Sequence, residues 1–418
     1  MTQYFPYRDG CLFAEELSLE SLAEHYGTPC YIYSRSAIED QWKRFNRALK
    51  GIPHQICYAV KANSSLAVLQ LMSHLGSGFD IVSGGELERV IRAGGDPSKV
   101  VFSGVGKRRD EIEQALHTGI PCFNVESAGE IERIAEIAQR LEKKAPVSLR
   151  VNPDVDPKTH PYIATGLRSS KFGIAMQEAE HLYQELAGHE WVEVVGVDCH
   201  IGSQLLDLDP MYEALDKIMD LVARLRKKNI NIRHLDMGGG FGICYQDEDE
   251  PSLDSFGRKV KETLAGTGLA LIIEPGRAMV GNAGILLTQV EFLKTAEEKS
   301  FAIVDAAMND LPRPSLYDAW HDIRPVHENS SWPLRTYDVV GPVCESGDFL
   351  GKERSLRIEP GSLLAVSSAG AYGFVMSSNY NTRPRPAEIM VDQDRSYLIR
   401  ERESLDDLLH RENLIPEW

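Results

Sequence analysis

Three things are scarce in this chain. There are seven cysteines in 418 residues, namely Cys11, Cys30, Cys57, Cys122, Cys199, Cys244 and Cys344. The number is odd and no C-x-x-C pair occurs, which argues against a disulfide framework and a cysteine zinc site. Free thiols suit a reducing compartment, so a cytoplasmic location is expected. No apolar run approaches the ~20 residues that span a bilayer. Residues 1–9 lack a basic stretch followed by an apolar one, so no secretory signal is expected. Positive charge is also short, with 45 Lys and Arg against 62 Asp and Glu, a formal net charge of -17. Such a chain repels phosphate backbones and anionic lipid, so nucleic acid and membrane surfaces are poor partners. A solvated acidic surface is the plain reading of that charge. Repeats and low-complexity segments are absent as well.

What remains is the composition of a globular enzyme, 43% hydrophobic and 26% charged, in a chain long enough for two domains. Short apolar runs at residues 54–60, 79–82, 100–103, 122–125, 147–151, 192–199, 234–237 and 269–273 alternate with helical patterns such as 85–93 and 128–144. Strands apolar on both faces and separated by helices predict a parallel sheet. Eight such units over about 220 residues predict a closed (β/α)8 TIM-like barrel, with a doubly wound open sheet as the alternative. After residue 280 the runs at 284–293, 301–305, 335–340, 362–366 and 388–391 are separated by turns, which predicts a mainly antiparallel β-sandwich or barrel domain. The run Cys30-Tyr31-Ile32-Tyr33 is a ninth strand that fits this second domain better than a barrel already complete. The expected division is residues 35–280 for the barrel, and 1–34 plus 281–418 for the β domain.

In a barrel the carboxyl ends of the strands form the functional face. The residues just after the eight runs are Lys61, Ser83, Gly104, Glu126, Asn152, His200, the glycines 238–240, and Glu274. Lys61 is either an ordinary surface lysine or, desolvated at the mouth, an amine fit to react with a carbonyl. The run Gly238-Gly239-Gly240-Phe241-Gly242 is not G-x-G-x-x-G, so dinucleotide binding is poorly supported. It is either a tight turn or a place where backbone N–H groups approach a phosphate. Glu274-Pro275-Gly276-Arg277 offers a carboxylate for a pyridine nitrogen and an arginine for an anion, or else a structural ion pair. His200 is a flat ring for stacking, or a core histidine. In the β domain, Cys344, Glu345 and Asp348 share a Gly- and Pro-flanked loop, where a thiol is more often functional than core. Tyr372 sits in the small-residue loop 368–373, and Arg313 and Tyr317 lie four residues apart.

These motifs together, Tyr58–Asn63, His200–Gln204, Gly238–Gly242, Glu274–Arg277, Cys344–Asp348 and Gly370–Gly373, resemble the fold-type III pyridoxal-phosphate decarboxylases. Within them the chain looks like the bacterial diaminopimelate decarboxylases, from about residue 5 onward. The resemblance implies that Lys61 carries pyridoxal 5'-phosphate covalently and that His200 stacks on its ring. It implies that Ser203, Gly240, Pro275, Gly276, Arg277 and Tyr372 hold the phosphate end, and that Glu274 pairs with the ring nitrogen. Arg277, Arg313, Tyr317, Glu345 and Tyr372 would hold substrate, and Cys344 would return a proton to Cα. It also implies a homodimer in which the Cys344–Glu345 loop serves the other subunit's barrel. The reaction implied is decarboxylation of meso-2,6-diaminopimelate to L-lysine and carbon dioxide, the last step of lysine biosynthesis.

Elementary chemistry fits those roles. Loss of carbon dioxide leaves charge at Cα that a protonated pyridine can absorb, and an ordinary thiol, with a pKa of ~8.5, is protonated at neutral pH. A substrate with a second amino-acid end needs a cation and an anion at the far side. Ornithine would leave that arginine unpaired, at roughly 3–5 kcal/mol. One departure stands out: Pro312 precedes Arg313 where the family commonly has an aliphatic residue, and its fixed φ bears on how Arg313 is placed. Rival readings are a decarboxylase of ornithine, arginine or a carrier-bound substrate, a racemase of the same fold, and a non-catalytic cofactor carrier or regulator. Against the last stand about 140 residues beyond the barrel and the presence of both Lys61 and Cys344. The segment 154–172, rich in Pro, Gly, Ser and Lys, is expected to be a loop able to cover the site.

Overall fold

The computed structural model describes residues 3–156, 171–296 and 299–416. Its contacts divide the chain into two compact units, residues 39–243 with 248–279, and residues 1–38, 244–247 and 280–418.

The first unit is a closed barrel of eight parallel strands: β1 (His54–Ala59), β2 (Gly78–Ile81), β3 (Val100–Phe102), β4 (Cys122–Val125), β5 (Ala145–Asn152), β6 (Val192–Asp198), β7 (His234–Asp236) and β8 (Ala270–Ile273). Each strand pairs with the next in sequence, and β8 pairs back onto β1 through Ile272 and Gln55, so there is no free edge. The sequence dictates this. Every residue of β2, β3 and β4 is buried, as strands walled by helices on one side and packed in the interior on the other must be. Helices begin where side chains can cap them: Ser83 accepts from Glu86 N, and Ser127 accepts from Glu130 N. The helix Ala128–Arg140 then turns Ile131, Ile134, Ile137 and Ala138 inward, the 3–4-residue spacing of one helical face. Ile134 is fully buried, and truncating it to alanine should cost about 2–5 kcal/mol.

The second unit is built on a sheet whose strands run in the order Phe349–Leu356, Arg335–Val340, Ser300–Val304, Gly284–Thr295, Cys30–Ser34, Ala387–Asp392 and Arg395–Arg400, with Leu363–Val366 and Ile323–Pro325 branching from Gly284–Thr295. The ninth strand anticipated at residues 30–33 is here, fully buried. It pairs antiparallel with Gly284–Thr295 and parallel with Ala387–Asp392. A second parallel pairing joins Ser300–Val304 to Arg335–Val340, so the sheet is mixed though mainly antiparallel. A small three-stranded sheet of residues 7–18 covers part of it, burying Phe5, Leu12 and Leu19 with Ile32, Ile285 and Ile389. No helix among the described residues is long and apolar enough to cross a membrane.

Candidate active site

The residues singled out after the barrel strands gather at its carboxyl end. A single 3-10 turn, Val60–Ala62, follows β1 and sets Lys61 there. Its Nζ donates to Asp80 Oδ2 at 2.5 Å. Asp80 is wholly buried, whereas the Lys61 side chain keeps 38% of its surface. The amine is therefore held by a buried carboxylate at the end of a side chain that stays partly exposed, which is neither a free surface lysine nor a sealed ion pair.

Behind it lies a carboxylate cluster that a search of loop residues alone does not find. Asp198 on β6, Asp236 on β7 and Glu274 after β8 each bring one oxygen within 4.8 Å of the others, all buried. Asn124 on β4 bridges two of them, its Nδ2 3.4 Å from Asp236 Oδ2 and 3.3 Å from Glu274 Oε1. Ser103 Oγ adds a donor to the same Glu274 oxygen at 3.4 Å. Burial, then the charge of Asp236, pushes Glu274 well above the usual carboxylate range. The same causes act on Asp198, and burial lifts Asp236 to about 6. The signal was present in sequence: Asp80, Asp198 and Asp236 are acids within otherwise apolar strands, a costly placement unless the barrel interior uses it.

His200 and the glycine run are fitted to each other. Gly239 N donates to His200 Nδ1 at 3.1 Å, so that nitrogen carries a lone pair. Burial, with the Arg150 and Lys61 charges, keeps the ring well below its ordinary pKa and neutral. The glycines are required by close approach rather than by flexibility. A Cβ on Gly239 would stand 2.3 Å from the Glu274 carbonyl oxygen, and one on Gly240, at φ +103°, 2.7 Å from that of Gly202. A Cβ on Gly276 would meet Ala59 and Ala62 at 3.0 and 3.1 Å. Pro275 O accepts from Ala59 N at 3.2 Å, tying the end of β8 to β1. Arg277, buried, donates from Nη2 to Ser203 Oγ at 3.2 Å. Of the remaining strand-end residues, Ser83 caps a helix, Glu126 accepts from Arg150 at 3.0 Å, and Gly104 takes φ +100°.

In the sheet unit, Pro312 stands at the N-cap of the short helix Arg313–Tyr317, at φ -76°, so it starts the turn that carries Arg313 rather than breaking it. Arg313 is buried. Its Nη1 donates to His321 Nε2 at 2.9 Å, and its guanidinium lies 4.9 Å from the centre of the Tyr245 ring. His321 Nδ1 is 2.8 Å from Ser367 O; a carbonyl only accepts, so the histidine proton is on Nδ1 and Nε2 is free to accept from Arg313. His321 and Tyr245 are thus positioning partners that sequence reasoning missed. Tyr317 is half-buried at the end of the same helix. Cys344 is exposed, and its backbone N donates to Asn381 Oδ1 at 2.9 Å. Beside it the exposed Glu345 accepts from Tyr380 OH at 3.1 Å. Asp348 shapes this loop by accepting from Val343 N and Met308 N at 2.8 and 2.6 Å. Tyr372, half-buried, takes φ +55° between Gly370 and Gly373. Of the segment 154–172, residues 157–170 lie outside the described residues.

The donor set at the barrel mouth fits pyridoxal phosphate. It offers an accessible amine, a neutral flat imidazole, a buried acid cluster short of cations, and glycine approaches where any Cβ would intrude. Fold and site together define a pyridoxal-dependent decarboxylase. The family model described as "Pyridoxal-dependent decarboxylase, pyridoxal binding domain" matches residues 35–281. Over 413 residues the chain is 57% identical to the diaminopimelate decarboxylase of Pseudomonas aeruginosa, covering 99% of each. It is 55% identical over 416 residues to that of Vibrio cholerae, covering 99% of this chain and 100% of the relative. Among solved structures, the diaminopimelate decarboxylase of Helicobacter pylori complexed with L-lysine matches with a TM-score of 0.91 at 44% identity, over 94% of this chain and 98% of that one. The M. jannaschii enzyme in co-complex with L-lysine matches with a TM-score of 0.95 at 37% identity, over 99% of both. The chain belongs to the diaminopimelate decarboxylase family.

Proposed function

We propose that the chain decarboxylates meso-2,6-diaminopimelate to L-lysine and carbon dioxide with pyridoxal 5'-phosphate as cofactor, closing lysine biosynthesis. The observation that carries this is the Lys61–Asp80 pair and the buried Glu274 cluster at one barrel mouth, in a chain aligned end to end with enzymes of that name. When bound, the cofactor is the electron sink for the charge left at Cα. Everything else is work for the protein. Lys61, held by Asp80, would be the attachment point. Glu274 would accept from the ring nitrogen, and a charge-assisted hydrogen bond there would keep that nitrogen protonated. His200, neutral, would offer a face to the ring without adding charge. Ser203, Gly240, Pro275, Gly276 and Arg277 would bound the phosphate end, with Tyr372 as a further hydroxyl.

Arg313, fixed by His321 and Tyr245, is a preorganised cation for a substrate carboxylate, with Arg277 as a second and Tyr317 as a hydrogen-bond donor. Glu345 answers the far ammonium. Such a pair of opposite charges selects a substrate that is itself an amino acid at both ends. Cys344 holds the proton delivered to Cα. Its exposure in a single chain supports a homodimer in which this loop completes the partner's site, and the free cysteines support a cytoplasmic setting. The test is carbon dioxide release from meso-diaminopimelate with added pyridoxal phosphate, against ornithine, arginine and lysine. Release from diaminopimelate alone, with lysine as product, is expected. Release only from a control reassigns Arg313 and Glu345, and release from none refutes the reading.

A further inference from the structure

The sheet unit brings a thiol, an imidazole and a carboxylate together at its own surface. Cys11, Glu20 and His327 each offer one ligand atom, and the three atoms lie within 4.8 Å of one another. Strand pairing dictates the first two. Leu12 N donates to Val326 O and Glu328 N to Gly10 O, both at 2.8 Å, and between those bonds Cys11 and His327 face each other as an antiparallel bridge. A pair flanked in this way exchanges no hydrogen bonds of its own. Its Cα atoms are only about 4.5 Å apart and its side chains stand closest together, on one face. Glu20 comes from the first turn of the helix Leu19–Tyr26, and its Oε2 is 3.0 Å from His327 Nε2. An exposed ion pair accounts for Glu20 and His327. It does not account for a half-buried thiol within reach of both.

We propose that Cys11, Glu20 and His327 form a binding site for a divalent cation of the zinc type, with water as the fourth ligand. One sulfur, one nitrogen and one carboxylate oxygen are donors that zinc takes, whereas magnesium and calcium take oxygen. Zinc bonds of about 2.0–2.1 Å at a tetrahedral angle set nitrogen and oxygen about 3.3 Å apart. The His327–Glu20 pair, at 3.0 Å, is therefore already close to the spacing that the ion requires. Ligation breaks the Cys11 S–H bond, the proton passes to solvent, and the sulfur gives the retained electron pair to the metal. No oxidant or reductant takes part. The side chains of Glu20 and His327 keep 50% and 51% of their surface, which leaves an open side for the water. The ligands belong to separate elements, so the ion ties the strand Cys11–Ala14 and the helix Leu19–Tyr26 to the chain after Ile323–Pro325. The missing C-x-x-C does not count against such a site, because strand pairing rather than sequence spacing assembles it. None of the three residues has a part in the proposed reaction, so the inference stands apart from that reading.

The test uses the cofactor-loaded enzyme carrying Cys344→Ser, which removes the exposed thiol that could compete. Zinc binding is followed by calorimetry and by the melting temperature, and cadmium reports on sulfur through its thiolate charge-transfer band in the ultraviolet. A cadmium–thiolate band is expected, with a melting temperature that rises with the logarithm of zinc concentration. Magnesium at the same concentrations should leave the melting temperature unchanged. Adding Cys11→Ser should abolish the band. Cys11→Ser or His327→Gln should each weaken zinc binding at least about 100-fold, since even a residue that only orients a ligand is worth about 10–100-fold. Absence of zinc binding overturns the proposal and leaves Glu20 and His327 as an ion pair only. A band that survives Cys11→Ser, or undiminished zinc affinity in His327→Gln, overturns it as well. Should Cys11→Ser not fold, the exposed His327 still decides through its glutamine variant.

Discussion

Replacing Gly239 by alanine should damage the cofactor site while leaving the chain folded. The added Cβ would lie 2.3 Å from the Glu274 carbonyl oxygen and 3.1 Å from its carbonyl carbon. Real Cβ atoms essentially never come closer than 3.0 Å, so the loop after β7 and the end of β8 must part by about 0.7 Å. They cannot part freely, because Glu274 N donates to Gly238 O at 2.7 Å and Gly239 N to His200 Nδ1 at 3.1 Å. Overpacking against backbone of this kind costs about 1–3 kcal/mol, small enough for a domain of this size to survive. Function should suffer more. The shift falls on the residue proposed to face the ring nitrogen and on the imidazole proposed to face the ring, and misplacement on the order of 1 Å can cost about 10²-fold in rate. Gly129→Ala is the control: nothing lies within 4 Å of its Cβ, it sits in the helix Ala128–Arg140, and alanine there should add roughly 0.5–1 kcal/mol of stability. The assays are the cofactor dissociation constant by titration of the apoprotein, kcat for carbon dioxide release, and the melting temperature. Wild-type affinity and kcat in Gly239→Ala, with a melting temperature equal to the control's, would refute this account of the glycine run.

Other consequences can be checked as directly. Cys344→Ala should lower kcat far more than it raises KM, because the thiol is proposed to act only after carbon dioxide leaves; an unchanged kcat removes it from the mechanism. Mixing inactive Lys61→Ala and Cys344→Ala chains should restore part of the activity if each site draws on two subunits, and no recovery after verified exchange argues against sharing. His234, near Ser148 Oγ at 3.0 Å, is held at about 4 by burial against 6.5 in the open chain. Between those values the unfolded state binds the proton and the folded state does not. Stability is therefore full above pH 6.5 and falls by up to about 3 kcal/mol toward pH 4. His234→Gln should flatten that part of the denaturation profile, and an identical slope in the variant would refute the assignment.

The barrel was legible because its strands must be apolar on both faces and its helices on one, and those two periods survive in the bare sequence. The strand at Cys30–Ser34 was legible for the same reason, since a fully buried strand is a continuous apolar run. The outer strands of the second unit were not. Phe349–Leu356 carries Lys352, Glu353 and Arg354, and Arg395–Arg400 has only exposed and half-buried positions, so neither registers as an apolar run. Residues 7–18 form strands of two to four residues, too short for any period to register. Their pairing is decided by distant partners such as Val326, whose carbonyl accepts from Leu12 N at 2.8 Å.

At the site, attention to residues just beyond each strand located Lys61, His200, the glycines and Glu274, but overlooked the layer beneath. Asp80, Asn124, Asp198 and Asp236 belong to the strands themselves, and a polar residue inside an apolar run is easily taken for a tolerated exception. In a barrel it cannot be, because strand residues alternate between the helix layer and the interior, and an inward acid must meet whatever the other strands send there. Four strands sending Asp80, Asn124, Asp198 and Asp236 inward already imply a polar cluster at one level. The energy of burying unbalanced carboxylates implies in turn that the cluster awaits a cation or keeps a proton. That chain of reasoning needs the barrel to be closed, and closure was the one feature that rested on the count of strands rather than on any single residue. Once β8 is seen to pair with β1, the inward acids cease to be exceptions: Asp198 and Asp236 meet Glu274 in one buried cluster, and Asp80 holds Lys61.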